Sequence, residues 1–508
     1  MMAKYLLGVD GGSTMVKAAL FDTQGTEVAV HSREVAHIYE HPGWTENDMQ
    51  ALWESVGAVI RETISESGID PAEIVCVTCT GHGNGLYLID AEGRPVRNGI
   101  ISSDARAREY IETWDRENIL EKLLPKTMQG IWPGQPNALL RWLMDHEPEV
   151  IEKTRWMFMC KDYLRFMLTG KPLMERTDMS GTSLINVGTG EYDDEILAAW
   201  GLSDLKRIMP PLVHSGEICG EVTSEAAAAT GLAEGTPVAG GMFDIDACGL
   251  AVGMTNETQL CMIAGTWGNN QYITREPVVS PEVFMTSCYS IPGYYLILEG
   301  SPTSASNLQW LVSRFFEAEK QLLEQRHPGE SVFDICNDEV RQTKAEDTGI
   351  IFLPYLFGSP VSLDAKGCLF GLDGRHSRGH VLRAMYEGIV FGHYWHIEKL
   401  LQFRNMPATI RLTGGAVKSE VWSQMFADIF QTTVEIPAGT ELGALGACIC
   451  GAVAGGVYED FEKACEAMVR IDRVYQPNPH EGEIYRKKYA RYKKLLEVFQ
   501  PVWSELAW

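Results

Sequence analysis

No stretch of this sequence is apolar for long enough to cross a membrane. Met1-Met2-Ala3-Lys4-Tyr5 leads straight into a strand pattern, and Asp10 comes too early to leave the apolar core of a signal peptide. A cytoplasmic protein with no membrane partner is expected. Positive charge is also scarce. Lys and Arg total 43 against 68 Asp and Glu, a formal charge of -25, which argues against a broad basic surface for nucleic acid but leaves room for a local anion site. A zinc-type thiol pattern is missing too. Of the 12 cysteines only Cys76 and Cys79 form a CxxC, within a run that reads as a strand, where the two side chains face opposite ways. Scattered cysteines in apolar runs read as reduced core thiols. With 45% hydrophobic and 22% charged residues, extensive disorder and fibrous repeats are excluded. At 508 residues the chain exceeds one typical core, so two or three domains are expected.

What is present begins with Leu6-Leu7-Gly8-Val9-Asp10-Gly11-Gly12-Ser13-Thr14, followed by an apolar run carrying Lys17. This reads as two strands around a glycine and hydroxyl turn. Gly12, Ser13, Thr14 and Lys17 suit a phosphate and Asp10 a magnesium ion, although a plain glycine-turn hairpin has the same pattern. Pro42-Gly43-Trp44-Thr45-Glu46 precedes a helix that Asn47 or Asp48 would cap. The strand from Ile74 ends in Gly81-His82-Gly83-Asn84-Gly85, where polar groups on a strand end are either ligand contacts or a flexible turn. Asp104 and Arg106 read as a solvated loop pair. Residues 137–170 read as helical with a stop at Gly170, and 171–194 as loops with short strands. Gly235 to Asp244 reads as a strand running into a glycine turn that presents an aspartate.

The opening plan recurs near mid-chain. Leu260 to Ala264, Gly265-Thr266, then Gln271-Tyr272-Ile273 repeat strand, turn and strand, which points to duplicated α/β domains with a boundary between Asp246 and Thr258. Later, Ile410 to Thr413 enters Gly414-Gly415-Ala416 before a helix from Ser419, a further anion or nucleotide candidate. The helix from Ile484 to Val498 interleaves Tyr485, Tyr489 and Tyr492 with basic residues. It reads as a solvated amphipathic helix rather than a nucleic-acid surface.

From about Tyr5 to about Tyr458 these turns, with Lys161-Asp162-Tyr163-Leu164, Leu168-Thr169-Gly170 and the stretch Gly371 to Gly388, resemble the FGGY carbohydrate kinases. The resemblance implies an α/β protein of two duplicated actin/Hsp70/sugar-kinase-like (ribonuclease H-like) domains facing a central cleft. Residues 1–250 would hold the sugar site, first phosphate hairpin and catalytic aspartate, and 251–508 the second hairpin and adenosine site. Ser301-Pro302-Thr303-Ser304 and Gly241-Met242-Phe243-Asp244 look closest to L-xylulose kinases.

Carried onto this sequence, the resemblance implies Asp244 as catalytic base, with Asp246 as a nearby rival, and Asp10 as the magnesium-side carboxylate. Gly12, Ser13, Thr14 and Lys17 would face the phosphates of ATP, with Gly265 and Thr266 closing the other side. Gly414, Gly415, Ala416 and Ser419 match the nucleotide segment, and Gln309 sits where the family helix borders adenine. His82, Gly83 and Asn84, with Asp104, Trp132 and Gln135, would meet the sugar. Glycerol kinases carry arginine and glutamate at the Gly83 and Asn84 positions, and xylulose kinases methionine and histidine, which argues against glycerol and D-xylulose. The expected reaction is ATP-dependent phosphorylation of a terminal hydroxyl of a small sugar, L-xylulose first, or another pentulose or a small alditol such as erythritol. An actin/Hsp70-like ATPase and a non-catalytic sugar sensor are the rivals. Family members are often homodimers. Stereochemistry and the carbon phosphorylated are not legible in the sequence.

Overall fold

The computed structural model describes residues 4–506 apart from 328 and 363, so Met1 to Ala3 of the opening stretch lie outside it. The chain forms two compact units. One comprises Met1–Thr255, Ile273–Ile297 and Gly439–Val469, the other Asn256–Tyr272, Leu298–Ala438 and Arg470–Trp508.

In the first unit, β1 (Tyr5–Gly11), β2 (Met15–Asp22) and β3 (Glu27–Glu34) form an antiparallel meander. β4 (Ile74–Gly81) lies parallel to β1, and β5 (Ile218–Glu221) and β6 (Pro237–Ala239) extend the sheet to the order β5-β6-β4-β1-β2-β3. The two-residue strand β7 (Met242–Phe243) also pairs with β4. α1 (Met49–Ser67) packs on β2 and β3, and the small-residue helix Leu442–Ala454 on β1 and β4. Cover on both faces explains why these strands are nearly continuous apolar runs, and why Cys76 and Cys79 are both buried although they face opposite ways. Asp48 rather than Asn47 caps α1, accepting from the Gln50 and Ala51 amides.

Residues 137–170 are not one helical segment. The chain breaks into helices Pro136–His146 and Pro148–Lys153, strand Trp156–Phe158, and α2 (Cys160–Thr169), because Pro148 holds Glu147 out of helical geometry and Thr154 leaves the helix for extended backbone. Gly170 does end α2, in the left-handed region at φ 65. Within 171–194, short strands are joined by a helical turn, Arg176–Ser180, capped by the Glu175 side chain. α3 (Asp244–Ala251) starts directly at the aspartate that the glycine turn presents.

The second unit repeats the opening plan. β8 (Gln259–Ala264) and β9 (Gly268–Thr274) are antiparallel around Gly265 to Trp267. With β10 (Tyr295–Ser301), β11 (Thr409–Thr413), β12 (Thr433–Pro437) and β13 (Ile471–Tyr475), they run in the order β10-β9-β8-β11-β12-β13. α4 (Ser306–Phe315), α5 (Val332–Arg341), α6 (Arg378–Leu400), α7 (Glu420–Phe430) and α8 (Pro479–Phe499) complete the unit. On α8 the three tyrosines face inward and are buried, with Tyr492 bonding Tyr355 at 3.1 Å. The aromatics that alternate with basic residues in the sequence are therefore core, not a stacking surface. The cysteines are free thiols and none is exposed. Among the described residues no helix is long and apolar enough to cross a membrane.

Candidate active site

Asp10 is the last residue but one of β1, opposite Lys17 on β2. Burial pushes its carboxyl up to about 6, with Lys17 opposing the rise and Glu441 adding to it. Lys17 is not a free cation, since its Nζ donates to Glu441 Oε2 at 2.7 Å. Glu441 immediately precedes the helix Leu442–Ala454, and a Cβ on Gly443 would stand 2.7 Å from Asp10 Oδ2. A glycine there lets the positive end of that helix approach the carboxylate. The carbonyl of Ser13, in the turn beyond, accepts from His37 Nε2 at 2.7 Å.

Asp244 is the first residue of α3 and is partly exposed. Burial and, behind it, the charge of Asp10 push its carboxyl up to about 7, against a bond from the Ile245 amide. Its rival Asp246 is fully buried and accepts from the Ser290 amide at 3.0 Å and hydroxyl at 3.2 Å. That engagement fits a framework role for Asp246.

The turn leading to Asp244 is held by groups that no sequence signal assigned to it. Thr80 Oγ1 donates to the Met242 carbonyl at 2.9 Å, the Phe243 amide donates to Thr177 Oγ1 at 2.9 Å, and Arg165 donates to the Gly240 carbonyl. Thr177 Oγ1 in turn donates to Glu175 Oε2 at 2.7 Å, and Ser215 Oγ to Glu175 Oε1 at 2.8 Å. Lys161 Nζ lies 2.9 Å from Asp162, 3.3 Å from Glu175 and 3.6 Å from Asp178, all fully buried. Burial holds Asp178 well above the usual carboxylate range. Lys161 and Asp162 are visible in the sequence as a motif, but their partners lie far along the chain.

His82 is buried and its Nε2 meets Tyr87 Oη at 3.0 Å, while Nδ1 has no hydrogen-bond partner. Burial pushes its pKa down to about 4, so the ring is neutral. Asn47 Nδ2 also donates to Tyr87 Oη, and with the phenol proton given to Nε2 the ring carries its own proton on Nδ1. Asn84 adopts φ 60, and its buried Oδ1 also has no partner. Gly83 lies between them, against the Phe243 ring. The structure thus brings His82, Gly83 and Asn84 beside the Asp244 turn.

The other sugar candidates are placed differently. Asp104 accepts from the Thr45 and Arg106 amides and from the Arg106 guanidinium, which also pairs with Glu46. This buried framework replaces the solvated loop pair expected from the sequence. Gln135 Nε2 is shared among Gln129 Oε1 and the Gly130 and Gly181 carbonyls, and its Oε1 accepts from the Trp132 amide. Trp132 stacks on Phe284 with ring centroids 5.4 Å apart.

Within the second unit, Gly265, Thr266, Gln309, Gly415 and Ser419 line one cleft of about 1070 Å³. Gly414, at φ 92, and the buried Ala416 are not among its lining residues. Gly414 lies against Ala264 and Gly265, where a Cβ would meet backbone at 2.6 Å. The sequence reading missed three further lining residues. Asn337 Oδ1 accepts from Ser419 Oγ at 2.6 Å and from Tyr386 Oη at 3.0 Å, and Trp422 stacks on Tyr386 at 4.5 Å. An aromatic wall with a polar edge suits a flat heteroaromatic ring.

Among the described residues no group of three or more His, Cys, Asp or Glu side chains could hold a metal ion by itself. Magnesium commonly takes one or two protein carboxylates and completes its shell with phosphate and water. Asp10, a carboxyl raised by burial, fits the protein share of that donor set.

The model for the N-terminal domain of the FGGY family of carbohydrate kinases matches residues 5–251, and that for its C-terminal domain matches residues 260–455. The chain is 37% identical over 502 residues to the L-xylulose/3-keto-L-gulonate kinase of Escherichia coli (strain K12), with 98% of each covered. It is 36% identical to a probable L-xylulose kinase of Haemophilus influenzae, covering 98% of this chain and 99% of that one. The crystal structure of xylulose kinase from Rhodospirillum rubrum superposes with a TM-score of 0.87 at 27% identity, covering 99% of this chain and 100% of that one. The chain therefore belongs to the FGGY family of carbohydrate kinases and is itself a carbohydrate kinase.

Proposed function

We propose that the protein transfers the γ-phosphoryl group of ATP to a terminal hydroxyl of a small sugar, with L-xylulose the first substrate. The observation that carries the reaction is Asp244, a partly exposed carboxylate at a helix start, pushed up to about 7. A proton acceptor with a pKa near the working pH is suited to a weakly acidic alcohol. Near-full-length identity to an L-xylulose/3-keto-L-gulonate kinase supports the choice of sugar.

In this reading His82 Nδ1–H donates to, and Asn84 Oδ1 accepts from, sugar hydroxyls, which answers their missing partners. Asp244 accepts the proton of the attacking hydroxyl as its oxygen bonds to the γ-phosphorus. The bond from that phosphorus to the bridging oxygen breaks, and ADP leaves. Gly12, Ser13, Thr14, Gly265 and Thr266 hold phosphates, while Gln309, Ser419 and their neighbours receive the nucleoside. Lys17 acts through its pair with Glu441 rather than as a free charge. Magnesium, held by Asp10 and the nucleotide, would spread the negative charge of the transferring group. We read residues 1–250 as the sugar and proton-transfer half, 251–508 as the nucleotide half, and the cytoplasm as the setting that keeps the thiols reduced.

The test is ADP release, with ATP and magnesium, across ketopentoses, aldopentoses and tetritols. The expected result is turnover that depends on sugar and is fastest with L-xylulose. ADP release indifferent to every sugar overturns the kinase reading, and a faster rate with another sugar replaces L-xylulose.

A further inference from the structure

We propose that His393 and His396 are positioning residues for the phosphate end of the nucleotide site, clamping the turn at residues 301–304 against the hairpin that carries Gly265 and Thr266. The inference rests on the nucleotide cleft proposed above. Both histidines are buried on α6, three residues apart and therefore on one face of the helix. His393 Nδ1 meets Asn270 Oδ1 on β9 at 2.9 Å, and Asn270 Nδ2 donates to the Glu299 carbonyl at 3.3 Å, so Oδ1 is the acceptor and the ring proton sits on Nδ1. Burial pushes the His393 pKa down to about 3, which keeps the ring neutral and leaves Nε2 to accept from the Ser304 hydroxyl at 2.9 Å. His396 repeats the arrangement. Its Nδ1 donates to Glu299 Oε2 at 2.8 Å, and burial holds its pKa below the ordinary histidine value although Glu299 opposes the fall. The Ser301 hydroxyl then donates to Nε2 at 2.8 Å and accepts from Thr303 Oγ1 at 2.8 Å.

The clamp reaches the hairpin in two ways. A Cβ on Gly268, the first residue of β9, would stand 2.9 Å from His393 Cε1 and 3.2 Å from Ser304 Cβ, so the ring and the turn both lie against the foot of the hairpin. Immediately after the turn, the Ala305 amide donates to the Gly265 carbonyl at 2.9 Å. Pro302 and Ala305 line the same cleft as Gly265 and Thr266, whereas the two histidines do not. They act through the backbone they hold, which gives the Ser301-Pro302-Thr303-Ser304 motif a physical role. The nucleoside wall has its own support. Trp422 Nε1 donates to the Tyr386 carbonyl at 3.2 Å, and the Tyr386 hydroxyl donates to Asn337. Tyr386 precedes His393 by about 10 Å along α6. Loss of the clamp therefore disturbs the phosphate end and leaves the ring end in place.

The test measures dissociation constants for AMP and for ADP with magnesium, by titration calorimetry on the full-length chain, beside the KM values for ATP and sugar. His393→Phe keeps a ring and removes both of its hydrogen bonds. It is expected to weaken ADP by about tenfold and to raise the KM for ATP to match, with AMP affinity and the sugar KM within about twofold of the wild type. His393→Gln, which keeps a donor beside an acceptor, should regain most of the lost ADP affinity. Ser304→Ala removes the hydroxyl on the other side of the bond and should weaken ADP by about threefold to tenfold, and adding it to His393→Phe should cost little more. Unchanged ADP affinity, AMP and ADP weakened equally, or a Gln variant no better than the Phe variant overturns the proposal. If His393→Phe does not fold, Ser304→Ala decides by the same comparison of ADP with AMP. A wild-type chain that binds neither nucleotide overturns the nucleotide cleft and this role together, while a wild type that binds ADP, with variants that match it, overturns this role alone.

Discussion

Asp244 is held near neutrality by burial first and by the charge of Asp10 second. Its folded pKa lies above the ordinary carboxylate value. Above about pH 7 the carboxyl is charged in both folded and unfolded chains, and the folded state bears the whole desolvation cost. As pH falls below 7 the folded carboxyl takes up a proton and the cost fades. Asp244→Asn should therefore be more stable than the wild type by about 1–2 kcal/mol at pH 8. Thermal melts should show that advantage shrinking towards pH 5. An advantage that grows as pH falls would mean that the carboxylate is stabilised, not desolvated. Over the same range kcat/KM should rise with pH through an apparent pKa near 7, as the base ionises.

At the scale of elements, the turn from β6 to α3 depends on hydroxyl and guanidinium groups brought from elsewhere in the first unit. Thr177→Val keeps the shape but leaves the Phe243 amide without its acceptor. It should lower kcat by about 10–100-fold with little change in the KM for ATP, and Thr177→Ser should restore most of the rate. Equal kcat in all three chains would show that the hydroxyl does not position the base. Both hairpins were legible because apolar runs, glycines and hydroxyls sit within seventeen consecutive residues. The Asp244 turn was legible for the same reason, though the helix beginning at Asp244 was not. The segment 137–170 was misread because apolar spacing continues across Pro148 and Thr154, where backbone constraints override it. The Lys161 cluster was not legible at all as a site. Its members at 161, 175, 178 and 215 share no periodicity and meet only through folding. The acid and base at 104 and 106 looked solvated because burial by Glu46 and Trp44, from a distant loop, leaves no local mark.

At the scale of the whole molecule, the candidate groups divide by unit. His82, Asn84, Asp10 and Asp244 belong to the first, and the cleft lined by Gln309, Asn337, Tyr386 and Ser419 to the second. Substitutions should divide the same way. Asn84→Ala should raise the KM for sugar by about tenfold and leave ADP affinity unchanged, whereas Ser419→Ala, which loses its bond to Asn337, should weaken ADP by about threefold to tenfold and leave the sugar KM alone. Titration calorimetry with ADP beside steady-state kinetics checks both, and a crossed pattern would contradict the assignment. The family was legible because separate turns agree along nearly the whole chain. The sugar was not, because the contacts proposed for it rest on which buried side-chain atoms are left without partners, and that is decided only once distant segments pack together.

The most direct measurement is sugar-stimulated ADP release by the intact protein and by Asp244→Asn, with ADP binding measured on both. The account predicts that Asp244→Asn binds ADP as the wild type does and loses sugar-dependent turnover by at least about 100-fold. Sugar-dependent turnover that survives the substitution would contradict Asp244 as the base.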